Sequence, residues 1–423
     1  MSEPTPIKPH VLVLGGGFAG LEATFNLRAR LGRHVDLTLV SDSTAFKFKP
    51  NTIYIPFGKE PERYVVDLMP AMERRSVRFV HGRALAIDPE AKRVTTDREV
   101  LGYDYLVVAT GATMRAEEVP GLAEHGNTIW TPEEMLRLRE RFEQVVAAAR
   151  SGTRQRVVFM VPPQNKCAGP LYEMVMMLDT WLRRREVRDA VEITYATYES
   201  HYIQAFGPRL HEVVVREFDR RGITGHVATR VSEVTASRVR FSDGLALDFD
   251  LLVSFPPYVA ATRFDGLPAD ERGFLGTVAT TRQVIDSPDI YAVGDAGDFP
   301  VKQAFLALLQ ADTAAEHIAQ RIQGAHPDAR FEPVSMCIME QFDTATFAQV
   351  PLMTTGDPAM PVKVRDDRPE LYKVGTNEIW RLGKKMLGTV LPARFKAGLP
   401  FHAGATWAAM AAGLDVMAHV FAD

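Results

Sequence analysis

Over most of the chain, apolar-rich runs of strand length alternate with longer segments whose apolar residues recur at helical spacing. Val11–Leu14, Val35–Val40 and Tyr105–Ala109 predict strands, with a helix over Leu21–Leu31 between the first two. A turn-rich stretch from Gly111 to Gly121 breaks the rhythm, and a charged helix over Pro132–Arg150 leads into a second unit. That unit reads as strand 156–161, helix 171–185, strand 191–196, helix 208–221 and strand 251–254. Asp289–Val293, ending in Gly294-Asp295, reads as a returning strand of the first unit, with a long helix over 303–322 behind it.

This rhythm predicts an α/β protein of two Rossmann-like nucleotide-binding domains plus a small C-terminal region. The first domain is discontinuous, over 1–115 and 253–330; the second covers 116–252. From Phe331 onward scattered Pro, Gly and Met mark the third region, 331–423, which ends in an Ala-rich helix. With 49 basic and 53 acidic residues the net charge of -4 gives no bulk attraction to nucleic acid. There is no apolar run of about 18 residues, and Met1–Pro6 lacks the pattern of a secretory signal, so neither a span nor a signal peptide is expected. Two cysteines, Cys167 and Cys337, cannot build a disulfide framework, so any role they have is chemical. No spacing suggests a metal site.

The first strand runs into Gly15-Gly-Gly-Phe-Ala-Gly20. Gly15 permits the tight turn, Gly17 lets backbone approach a pyrophosphate, and Gly20 lets the helix pack closely on the strand. The helix N-terminus then faces the anion. Ser41 and Asp42, at the end of the next strand, are the candidates for a ribose contact, although a strand-end aspartate is as often simply solvated. The second unit departs from this plan: its strand runs into Pro162-Pro-Gln-Asn-Lys-Cys167, where a dinucleotide would need glycines. Cys167 stands just ahead of a helix opened by Pro170, so the helix dipole and Lys166 are expected to favour a thiolate there. Cys337 has no such signal, and its Met and Ile neighbours suit a core position equally well.

Gly15–Gly20, Tyr103–Ala112 and Tyr291–Ala296 together resemble the three FAD motifs of the pyridine nucleotide-disulfide oxidoreductase superfamily, the glutathione-reductase-like flavoproteins. Pro162–Glu173 and Ala296–Lys302 narrow the resemblance to sulfide:quinone oxidoreductases and the related flavocytochrome c sulfide dehydrogenase flavoproteins, over roughly residues 10–350. The resemblance implies non-covalent FAD, with Thr110, Gly111, Gly294 and Asp295 beside it and the Ala84 backbone at the adenine. It also implies a redox disulfide between Cys167 and Cys337, attacked by sulfide to leave a persulfide on one cysteine and a thiolate on the other. Glu173 is then a candidate proton shuttle, or merely a first-turn acid that suits the helix dipole. Lys302 would stabilise negative charge on the reduced flavin, or is a surface lysine. The chain departs from the family pattern at Trp130 and Ala205, where relatives often carry a third cysteine and a histidine. A thioether to FAD at position 130 is therefore impossible.

Arg381, Lys384, Lys385, Arg394 and Lys396 stand among Trp380, Met386, Leu387 and Phe395 with no acid between 381 and 396, which suits an anionic membrane surface. Trp407, Met410, Leu414, Met417 and Phe421 form an apolar stripe on the last helix, a pattern more often core or subunit contact. The resemblance turns this region into a monotopic membrane and quinone contact, with Phe395 and Phe401 as candidate ring contacts. The expected protein is a sulfide:quinone oxidoreductase, placed by the resemblance as a peripheral protein on the cytoplasmic (inner) membrane of a prokaryote, as a homo-oligomer. The alternatives are a sulfide dehydrogenase flavin subunit serving a cytochrome, an NADH:quinone oxidoreductase, and an FAD-bearing sensor without turnover.

Overall fold

The computed structural model describes residues 8–422; the segment Met1–Pro6, on which the signal-peptide reading rests, lies outside them. His10–Leu14 sits near the middle of a six-stranded sheet, paired in parallel with Asp36–Ser41 on one side and Tyr105–Val108 on the other. Arg78–His81 extends the sheet beyond Asp36–Ser41, and Ser287–Ala292 joins it from far along the chain, parallel to Tyr105–Val108. The returning strand thus belongs to the first sheet. Helix Phe18–Leu31 packs against helix Ala304–Ile322 across one face, where Asn26 donates to the Asp312 carboxylate at 2.7 Å.

A second, five-stranded parallel sheet places Gln155–Val161 between Leu251–Ser254 and Val191–Thr197. These strands are apolar on both faces because helices Pro132–Arg150 and Gly169–Arg184 cover one and the antiparallel sheet of Val231–Val234, Arg238–Phe241 and Ala246–Asp248 covers the other. Helix Pro132–Arg150 starts where its sequence signals put it: Thr131 accepts from the Glu134 N–H at 3.2 Å while the Glu134 carboxylate accepts from Thr131 N at 2.9 Å. Leu251–Ser254 lies wholly in this second sheet, so the change of sheet falls after Ser254 rather than at 252. A short antiparallel ribbon of Ala112–Met114 with Tyr258–Ala260 bridges the two sheets.

The region after 331 is more regular than its composition predicts. Val334–Glu340, Ala345–Thr354, Val362–Val364 and Lys373–Asn377 form an antiparallel sheet, backed by helices Ile379–Lys396 and Gly404–Phe421. The first of these helices is hidden in the sequence because it carries Gly383, Gly388 and Pro392 and buries a lysine, Lys384. What holds it is tertiary packing: Trp380 stacks on Phe347 with ring centroids 4.2 Å apart, both fully buried. The stripe on the last helix also turns inward, with Leu414 buried and Trp407, Met410 and Met417 packed against the core. Replacing Trp380→Ala is expected to cost about 3–5 kcal/mol of C-terminal layer stability, read as a lowered urea midpoint; an unchanged midpoint would show that the stack is dispensable.

Candidate active-site cavity

The glycine loop opens onto a cavity of about 700 Å³ at the junction of all three layers. Gly15 has φ +108°, and a Cβ there would lie 2.2 Å from the Ala109 carbonyl oxygen. At Gly20 a Cβ would lie 1.8 Å from the Gly15 carbonyl oxygen, whereas Gly17 and Gly111 have open space. The loop is therefore closed to side chains on the protein side and open toward the cavity. No side chain caps helix Phe18–Leu31, so its first N–H groups remain free for an anion. Ser41, Asp42, Thr110, Gly294 and Asp295 line the same cavity. Among the described residues no donor reaches the Asp295 carboxylate, which burial pushes up against the opposing charges of Lys302 and Lys49. This cradle fits a dinucleotide. Ala84, which begins strand Ala84–Asp88 and packs against the core that includes Leu14 and Val40, is not among the residues that line the cavity.

Cys167 and Cys337, 170 positions apart in sequence, line this cavity together as separate thiols. Cys167 is positioned by a residue that the sequence reading passed over: buried Asn165 donates to the Phe255 carbonyl at 2.7 Å and accepts from the Cys167 N–H at 2.9 Å. Gln164, at φ +65°, makes the bend that turns Asn165 inward. Cys337 comes in on strand Val334–Glu340, which Gln303 ties to the loop after Asp295 through Ser335 at 2.8 Å and the Met336 carbonyl at 3.2 Å. The expected thiolate at Cys167 is overturned. Burial pushes its thiol well up, Cys337 and Asp295 add to this, and only the Gly169 N–H opposes. Burial pushes Lys166 down, and the opposite charge acting on it is Asp270. Burial likewise pushes Cys337 up to about 12.

Next to Cys337 lies a buried charged group of residues. Lys384 donates to the Glu173 carboxylate and, at 3.1 Å, to the carbonyl of Ile338. Glu173 also accepts from the Glu340 N–H at 2.6 Å, and Glu340 in turn holds Arg381 at 2.7 Å and the Tyr54 hydroxyl at 3.0 Å. Burial raises Glu173 to about 7 although Lys384 pulls it down, so it exchanges protons near neutrality. Lys384 was read as a membrane-facing cation, and its role here had no local signal. Lys302 is no surface lysine either: it is buried, donates to the Gly297 carbonyl, and is pushed down to about 7 by burial against the pull of Asp295. Lys49 stands 3.1 Å from the centroid of the Trp130 ring, inside the cavity, and burial lowers it to about 8.

Of the two aromatic candidates, Phe401 lines the cavity and Phe395 does not. Phe395 is core, packed against Phe25 and Phe46 at 6.0 and 5.3 Å between centroids. The basic stretch is similarly spent inside: Arg381 pairs with Glu340, Lys384 with Glu173, and Arg394 donates to the Pro400 and Ala403 carbonyls at 2.6 Å each. Lys385 and Lys396 alone of the five remain exposed. Among the described residues no helix is long and apolar enough to cross a membrane.

The second nucleotide fold is closed by its own side chains. Glu199, just past its second strand, where an acid would hold a ribose, turns inward and accepts from the Tyr172 hydroxyl at 2.8 Å, Thr197 at 2.9 Å and the Gln204 N–H at 3.1 Å. A more open groove of about 810 Å³, beside Arg282 and Phe331, contains neither cysteine nor the glycine loop. In the reduced holoprotein, the pH midpoint for alkylation of both cysteines by iodoacetamide is expected well above the ordinary thiol value of about 8.5, and higher still for Cys337 in Lys384→Met. A midpoint near 8.5, followed by mass spectrometry, would contradict the burial argument.

Residues 9–159 match the family described as pyridine nucleotide-disulphide oxidoreductase. A sulfide-quinone reductase of Aquifex aeolicus is 34% identical over 200 residues, spanning 47% of this chain and 45% of that protein. An external alternative NAD(P)H-ubiquinone oxidoreductase B1 of Solanum tuberosum is 27% identical over 55% of this chain and 44% of its own length. These matches thus span under half of either relative. The X-ray structure of the A. aeolicus sulfide:quinone oxidoreductase superposes with a TM-score of 0.80 over 93% of this chain and 92% of that one, at 22% identity, a likeness of fold. The glycine loop that is closed to side chains, the matched residues and the shared fold converge on an FAD-dependent oxidoreductase, similar over residues 9–159 to the pyridine nucleotide-disulphide oxidoreductases and in fold to a sulfide:quinone oxidoreductase.

Proposed function

We propose that this protein oxidises sulfide with Cys167 and Cys337 and delivers the electrons by way of FAD to a quinone. The observation that carries the reading is the meeting of the two cysteines in the cavity that the FAD cradle opens onto. In the oxidised enzyme the two sulfurs form a disulfide. Hydrosulfide attacks one sulfur, the S–S bond breaks, and the other cysteine departs as a thiolate carrying the electron pair. Glu173, titrating near 7 beside Cys337, takes the proton of the new persulfide. Lys384 keeps the negative charge this creates beside a cation. Bound FAD supplies a two-electron acceptor that passes the pair on to quinone. Lys302, buried against Asp295, holds positive charge at the cavity wall, where reduction places negative charge. A second hydrosulfide attacks the outer sulfur of the persulfide and carries it off as a short polysulfide, the cysteine leaving as a thiolate, and the two cysteines give up the electron pair as their S–S bond re-forms.

Nicotinamide as donor, which the NAD(P)H-ubiquinone oxidoreductase relatives raise, is opposed by the Pro162-Pro163 turn and by Glu199 being spent internally. For the membrane side we propose the exposed Leu382 and Met386, with Lys385 between them, at 57% and 47% exposure.

Anaerobic sulfide is expected to bleach the flavin absorbance of the purified protein, a soluble quinone analogue to restore it, and NADH to do nothing. Cys167→Ser and Cys337→Ser should each abolish bleaching with FAD still bound. Bleaching by NADH alone would replace sulfide as donor. Loss of restoration by quinone but not by a cytochrome would move the acceptor to a protein, and bleaching by neither donor would make the chain a sensor. Leu382→Glu with Met386→Glu should release the protein from anionic vesicles in a co-sedimentation assay; unchanged binding would remove this face as the attachment.

A further inference from the structure

Glu22, Asp312 and His402 meet at a place the proposed reaction does not use. Glu22 lies on helix Phe18–Leu31, Asp312 on helix Ala304–Ile322, and His402 in the turn 397–403 between the last two helices. Their ligand-type atoms lie within 4.8 Å of one another. Glu22 accepts from the backbone N–H of Phe401 at 2.6 Å with one oxygen and of His402 at 3.0 Å with the other. Asp312 accepts from Asn26 at 2.7 Å, and its other oxygen lies 2.6 Å from His402 Nδ1. The imidazole is covered by Phe305, Phe401 and Trp407, with ring centroids 5.1, 5.0 and 4.4 Å away, and its Nε2 is buried without a partner. Two of those rings, Phe305 and Phe401, are walls of the central cavity.

Two carboxyls enclosed this closely cannot both ionise without strong repulsion. The charged groups that face them are few. Arg394, from helix Ile379–Lys396, lies near Glu22 but spends its guanidinium on the carbonyls of Pro400 and Ala403; Arg30 lies near Asp312 but pairs with Glu316 at 3.1 Å. Each Glu22 oxygen accepts one backbone N–H, and the short Nδ1 contact is a hydrogen bond, so the three groups share protons as they stand.

We propose that Glu22, Asp312 and His402 form a proton-dependent latch that seats the turn 397–403, and with it Phe401, against the FAD-binding helices, and that the turn loosens when the shared proton leaves for solvent. Burial raises Glu22 to about 8 and Asp312 to about 7 and lowers His402 to about 4, so through the neutral range the imidazole is uncharged and the carboxyls retain a proton. Both carboxyls are raised above their ordinary values. Their stabilising effect is therefore full in acid and is lost as pH climbs through about 7 to 8. The latch does not involve the sulfide chemistry and holds whichever donor reduces the flavin.

Hydrogen exchange of the holoprotein reads it directly, because Glu22 protects the amides of Phe401 and His402. After correction for the intrinsic rate, protection of the peptide covering 397–403 is expected to fall about tenfold between pH 6 and pH 9, while helix Gly169–Arg184 stays protected. Asp312→Asn removes the repulsion and should flatten that fall, and Glu22→Gln should do the same should the first variant fail to fold. Trp407 fluorescence should follow the same transition in the wild type. Protection that is flat with pH in the wild type, or an undiminished fall in the variant, would overturn the latch. So would stoichiometric zinc or manganese in the wild type that Asp312→Asn loses.

Discussion

Removal of water from the junction of three layers governs the chemistry of this protein. Each ionisable group enclosed there is driven toward its neutral form unless a partner opposes it: the two thiols and Glu173 rise, Lys302 and Lys49 fall. The carboxyl and the lysines are thereby drawn toward neutrality, where proton exchange is cheap, while the thiols move away from it. Glu173 and Lys302, an acid and a base by type, both come to titrate near 7. The same enclosure suits sulfur chemistry, since a thiolate freed there is a strong electron donor until something accepts its pair.

The third layer closes this space. Without strand Val334–Glu340 the cavity has one cysteine, and without helix Ile379–Lys396 the carboxylate beside the other has no cation. Its turn 397–403 then supplies Phe401 as a wall and is held by a carboxyl cluster seated on the two FAD-side helices. A small region added to a two-domain nucleotide fold thus completes the site and makes one of its walls answerable to pH. The second nucleotide fold contributes differently: it keeps the sheet, and the loop after its first strand carries Cys167. Asn165 and Glu199 spend on internal hydrogen bonds what a nicotinamide site would leave open.

Burial also explains where reading by pattern went astray. Five cations between 381 and 396 with no acid looked like a membrane patch, yet three of them satisfy carboxylates and carbonyls contributed by other segments. Phe395, offered as a ring contact, fills the core beside Phe46. The thiolate expected at Cys167 assumed that a helix N-terminus outweighs desolvation; in an enclosed site the order is reversed.

The sequence by itself determined the alternation of strands and helices, the glycine cradle and the rebuilt loop ahead of Cys167. Those features answer to demands that act within a few residues: periodicity, a positive φ at Gly15, and a close approach at Gly20 that no Cβ permits. The tertiary structure decided that Cys337 lines the same cavity as Cys167, that Lys384 lies on Glu173, and that His402 finds Asp312. Each is a pairing of segments 90 or more positions apart, and charges at such sites are set by how much water the whole fold excludes, which no local pattern records.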